Sequence, residues 1–72
     1  MEYINTTPKG ARELAHVIYP SLKKIGGASA RRWDLAQSIR SGADDVENSR
    51  MSKAYCYIPL SEGLRLRIGK ES

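Results

Sequence analysis

Residues 28–40, ASARRWDLAQSIR, decide how the rest of the chain is read. They follow Gly26-Gly27 and precede Ser41-Gly42, so residues that favour turns stand on both sides. Ala, Arg, Leu and Gln dominate the stretch, and all are good helix formers. Ser29 is placed to cap the helix by accepting from a first-turn N–H, and Gly42 to end it as a left-handed C′ residue. At about 100° per residue, Leu35, Ala36 and Ile39 fall on one side, which predicts the core-facing stripe of a helix over 29–40. Trp33 lies roughly 110° from the centre of that stripe, with Gln37 and Arg40 beside it. Arg32 leaves from the apolar side and has to snorkel or pair. The outer face then carries Arg31, Trp33, Gln37 and Arg40, residue types that include the two most enriched at binding hot spots.

Working outward, the N-terminal side carries a second helix signal. Thr7 followed by Pro8 is a start signal, with Thr as cap and Pro at the first helical position. Ala11, Leu14, Ala15 and Ile18 follow the i, i+3, i+4, i+7 spacing of an amphipathic helix over about 8–19. Pro20 interrupts it. Leu22 and Ile25 stay in phase, so the helix either kinks and continues or restarts as a short helix over 21–25 that displays Lys23 and Lys24. Residues 2–5 are a candidate short strand, with a pairing to a later hairpin in view.

On the C-terminal side, Asp44 with Glu47 three residues later resembles a capping box for a short helix or loop over 44–52. Residues 54–60, AYCYIPL, and 64–68, LRLRI, flank Ser61-Glu62-Gly63 and predict a hairpin over 54–68 with a left-handed glycine. Alternation puts Cys56, Ile58, Leu60, Leu64, Leu66 and Ile68 on one face without a slip, and Tyr55, Tyr57, Arg65 and Arg67 on the other. Pro59 cannot donate to a ladder and must sit at an edge. The predicted fold class is a small α+β domain over 1–72 with two to three helices followed by a C-terminal hairpin, an order that resembles a winged helix.

Composition narrows the function. Hydrophobic residues at 40% and charged residues at 28% suit one soluble folded domain, and 72 residues bury a core so small that a homodimer is an open route to stability. No apolar run approaches the roughly 20 residues of a membrane span. Cys56 is alone, which predicts a reducing, cytoplasmic setting and a packing role for its side chain. One His and one Cys, with no CxxC, HExxH or P-loop pattern, argue against an enzyme. No cofactor is expected, and Asp44, Asp45 and Glu47 lack the glycine-centred loop of a calcium site. Net charge is +4, and with that acidic cluster set aside five acidic residues face twelve basic ones. That balance favours a phosphate-bearing partner.

The element order and the run IGGASARRW resemble phage excisionases and their MerR-like relatives, in which a Ser cap precedes an Arg-Arg-Trp on the DNA-reading helix. The resemblance implies Arg31, Arg32 and Trp33 at the major groove behind Ser29, with Arg65 and Arg67 of the wing on adjacent backbone. The expected function is thus a small basic DNA-binding regulatory or architectural protein of phage or mobile-element type. The alternative is a small inhibitor of phage type, anti-CRISPR-like, that binds a host protein through Trp33 and Tyr57 and uses the acidic cluster as a second contact surface. Lys23, Lys24, Gln37 and Arg40 complete the candidate contact residues in either case.

Overall fold

The computed structural model describes residues 2–70. Its elements are β1 (Glu2–Thr6), α1 (Pro8–Ile18), α2 (Ser29–Asn48), β2 (Tyr55–Ser61) and β3 (Leu64–Gly69). This is a small α+β domain of two helices and a three-stranded sheet in the order β1-β3-β2. β3 is central, antiparallel to β2 and parallel to β1. A parallel neighbour needs a long crossover, and the two helices supply it on one side of the sheet. Among the described residues, no helix covers the opposite sheet face.

Pairing fixes the faces. Leu64, Leu66 and Ile68 stand opposite Glu2, Ile4 and Thr6 on one side and Ser61, Ile58 and Cys56 on the other. Ile58, Leu66 and Ile68 join Ala11, Ala15, Tyr19, Ala36, Ile39, Ala43 and Val46 in one core. The ladder is not free of a slip: it shifts between Pro59 and Ser61, so Leu60 has no partner of its own. Ser61 enters the ladder, and Glu62-Gly63 alone make the turn, with Gly63 at φ +78°. Pro59 lies on the edge strand β2, where its missing donor is harmless.

α1 starts as its sequence predicts. Thr7 Oγ1 accepts from the Gly10 N–H at 3.3 Å, and Pro8 occupies the first turn. Ala11 and Ala15 are fully enclosed, with Leu14 and Ile18 half-buried beside them. The helix stops at Ile18, because Tyr19 is pushed by Pro20 into an extended conformation (φ −154°, ψ 95°). No helix forms over 21–25: the chain is irregular there, and Leu22 and Ile25 are 80% and 59% exposed. Five residues between a proline and a glycine pair are too few to repay helix nucleation. Gly27, at φ +78°, turns the chain into α2.

α2 departs from expectation at both ends. Ser29 is its first helical residue, not its cap. Ala28 holds the cap position in helical geometry, and no side chain caps the first turn. Gly42 does not end the helix, which runs on to Asn48 and absorbs the first part of the segment expected as a separate helix. The stripe Ala36, Ile39, Ala43, Val46 continues unbroken through it. Gly42 is a packing residue instead. A Cβ there would stand 2.9 Å from Cys56 Sγ, 3.3 Å from Ile58 Cδ1 and 3.4 Å from Ile68 Cδ1. The missing side chain is what lets α2 lie this close to the sheet.

Asp44 and Glu47 are not a capping box. They hold Arg12 of α1: Nη1 donates to Glu47 Oε2 at 2.9 Å, and Nη2 to Glu47 Oε1 at 3.1 Å and Asp44 Oδ1 at 2.5 Å. This fork joins the two helices on the exposed side of the helical layer. The hydrogen bonds from Arg12 hold the Glu47 carboxyl below its ordinary pKa, and the same contacts raise the Arg12 guanidinium, which stays charged at every ordinary pH. A carboxyl with a lowered folded pKa contributes stability that is present at neutral pH and lost as pH falls through the ordinary carboxylate range. Stability should therefore fall more steeply below about pH 5 in the wild type than in Arg12→Met, and the two should converge at lower pH. Parallel slopes in pH-dependent urea unfolding would show the fork to be energetically idle.

Candidate nucleic-acid interface

The sheet face turned away from the helices is built by alternation. Tyr3 and Asn5 of β1 stand opposite Arg65 and Arg67 of β3, which in turn stand opposite Pro59 and Tyr57 of β2; Tyr55 follows on the same side. The two arginines thus lie on the central strand with tyrosines on both flanks. The rings of Tyr3 and Tyr57 meet across β3, edge to face, with centroids 5.6 Å apart and planes at 65°. The Arg67 guanidinium lies over the Tyr55 ring, 3.9 Å from its centroid. Tyr3, Tyr55 and Tyr57 keep 47%, 45% and 47% of their surface, so three of the four tyrosines form one half-exposed platform. Tyr19, the fourth, is in the core.

Among the described residues, the face carries positive charge and no negative charge. None of Tyr3, Asn5, Tyr55, Tyr57, Pro59, Arg65 and Arg67 is acidic; Glu2 alternates to the other side, and Glu62 lies in the turn. Arg65 is exposed. Arg67 is half-buried, and its Nε is enclosed without a hydrogen-bond partner. The Tyr55 contact holds this guanidinium against an aromatic ring in a cation–π arrangement.

The residues expected on the α2 contact face are divided. Arg31 and Arg32 are exposed in the first turn of α2, and Lys23 and Lys24 are exposed in the preceding loop. Trp33 is half-buried against the core, its Nε1 enclosed without a partner. Lys24 Nζ sits 5.4 Å from the Trp33 ring and 3.8 Å from Asp34. Arg40 is not an outer-face residue: its Nη2 donates to the Tyr19 carbonyl at 2.7 Å, satisfying a carbonyl left open where Pro20 stops α1. Gln37 lines an open groove between α2 and β2 with Ser38, Ser41, Asp45 and Cys56, and Ser29 is half-buried. Arg31 and Arg32 belong to the helical layer, on the other side of the sheet from Arg65 and Arg67. The single surface expected from α2 and the strand pair is therefore two separate basic regions.

Tyr3 is the residue of this candidate site that sequence reasoning missed. Its strand was visible, but its parallel pairing with β3 was not. The acidic cluster also reads differently, since Arg12 holds Asp44 and Glu47 on the helical layer, away from the platform. Burial pushes the Cys56 thiol pKa up, in keeping with a packing role under α2. Among the described residues, no group of three or more His, Cys, Asp and Glu could hold a metal ion, and no helix is long and apolar enough to cross a membrane. Comparison with family models, with curated proteins and with solved structures gives no match for this chain.

Proposed function

We propose that this chain is a small DNA-binding protein of the regulatory or architectural kind, and that the platform of Tyr3, Tyr55, Tyr57, Arg65 and Arg67 is its contact surface. The observation that carries the reading is the pairing of two central arginines with three half-exposed tyrosines on a face where no described residue is acidic. Arg supplies phosphate contacts, and the rings supply flat apolar area that costs little entropy to hold in place. Winged-helix docking through α2 is the weaker version, because Trp33 and Arg40, two of its expected contact residues, are engaged within the fold. Arg31 and Arg32 remain available for a second, phosphate-only contact at the open N-terminus of α2.

The test is fluorescence anisotropy with a labelled DNA that carries both a duplex and a single-stranded tail, at about 50 and 200 mM salt. Affinity should drop at least about tenfold across that range, and Arg65→Ala/Arg67→Ala should lower the salt slope by about 2. An unchanged slope in that double variant would remove the platform from the contact.

A protein-binding inhibitor is the second reading. The observation favouring it is the stretch from Val17 to Ile25, where Val17 and Leu22, each 80% exposed, and Ile25 present apolar side chains to solvent. In that reading these side chains, rather than Trp33, are the anchors.

A further inference from the structure

We infer that the platform takes single-stranded rather than duplex DNA, with bases stacked on Tyr57 and Tyr3 and the strand's phosphates on Arg65 and Arg67; the inference rests on the DNA-binding reading above. Three geometric points select the single strand. Rings standing on a sheet need a π-face to stack on, and a duplex hides its base faces inside the stack, whereas an unpaired strand offers one at each nucleotide. Width is the second. The B-DNA major groove, about 12 Å across, admits a helix or a two-stranded ribbon, while three strands at about 4.8 Å spacing make a body about 14 Å wide. Both edge strands here carry tyrosines on the platform side, so neither can be left outside the contact.

Charge spacing is the third point. Arg65 and Arg67 are two residues apart on one strand, about 6.7 Å along its axis, with aromatic rings to both sides. A chain laid along β3 passes Arg65 beside Tyr3 and then Arg67 beside Tyr57. Arg67 is held ready by Tyr55, so little ordering is required when a phosphate arrives. Deoxyribose rather than ribose follows from the DNA-binding reading alone, since the Asn5 amide and the tyrosine hydroxyls on this face can accept from a 2′-hydroxyl, and the RNA probe below decides between the sugars.

The experiment titrates the full chain against three probes by anisotropy: labelled oligo-dT of about 12 nucleotides, the matching oligo-rU, and a blunt mixed-sequence duplex. Oligo-dT should bind at least about tenfold tighter than the duplex. Tyr57→Ala and Tyr3→Ala should each weaken oligo-dT binding about tenfold or more, while Tyr57→Phe, which keeps the ring, should stay within about threefold of the wild type. Tyr57→Leu covers the case in which Ala loosens the sheet: it keeps apolar cover without a π-face and should lose affinity as Ala does. Duplex binding equal to or tighter than oligo-dT overturns the inference and leaves the DNA-binding reading standing. No binding to any probe overturns both. Full affinity in Tyr57→Leu overturns the stacking role, and tighter binding of oligo-rU overturns the choice of DNA.

Discussion

Leu66→Ala is expected to unfold most of the protein at 25 °C. Leu66 is fully enclosed on the central strand, opposite Ile58 on one side and Ile4 on the other, with the core residues of both helices above it. Truncating such a leucine costs about 2–5 kcal/mol, from lost burial and from the cavity left where the surroundings cannot collapse. A single core of this size supplies no more than about 3–5 kcal/mol in total. The two magnitudes are the same, so the variant should show a native far-UV spectrum only on cooling or with added stabiliser, and a midpoint at least about 15 °C lower. Leu64→Ala is the matched control, since Leu64 lies on the same face of β3 but is only half-buried at the strand's start. A cooperative thermal transition within a few degrees of the wild type in Leu66→Ala would mean that the sheet's inner face is not the centre of the core.

The parts of this fold legible in the sequence are those that depend on near neighbours. Side-chain direction in a strand alternates whatever the strand pairs with. Ile58, Leu66 and Ile68 were therefore assignable to the core, and Tyr55, Tyr57, Arg65 and Arg67 to the opposite face, before any pairing was known. Thr7 and Pro8 likewise act within one turn. What was not legible depends on contacts far along the chain. Tyr3 meets Tyr57 only because β1 pairs with β3 in parallel, and no short-range pattern specifies that register. Asp44 and Glu47 fit a local capping motif equally well, but Arg12, over thirty residues away, claims both. The angular reading of α2 assumed one buried side. α2 packs on α1 as well as on the sheet: Arg12 of α1 reaches Asp44 and Glu47, Arg40 reaches the end of α1, and Trp33 is half-buried against the core. Leu22 and Ile25 kept the helical phase of α1 without being in a helix, because periodicity does not register a proline.

Gly42→Val should be the other severe variant, and its argument turns on why a glycine stands in mid-helix at all. Glycine there costs about 1 kcal/mol relative to alanine in an exposed helix. Gly42 is buried, and the space a Cβ would take is already closed by Cys56 Sγ at 2.9 Å, with Ile58 and Ile68 just beyond. Valine adds two further carbons that point into those isoleucines or into the helix's own preceding turn, so α2 must lift from the sheet. Overpacking of this kind costs about 1–3 kcal/mol, and valine's stiffness in a helix adds to it, against a total stability of about the same size. Urea unfolding should place Gly42→Val at least about 2 kcal/mol below the wild type. Alanine divides the question. Its propensity gain of about 1 kcal/mol opposes a clash with a single sulfur, so Gly42→Ala should lie within about 1 kcal/mol of the wild type. Removing that sulfur as well should then release the gain, and Gly42→Ala/Cys56→Ala should be more stable than the sum of the single variants predicts. Additivity in that cycle, or a Gly42→Val protein as stable as the wild type, would mean that α2 does not lie against β2 at this point and that Gly42 ends a helix after all.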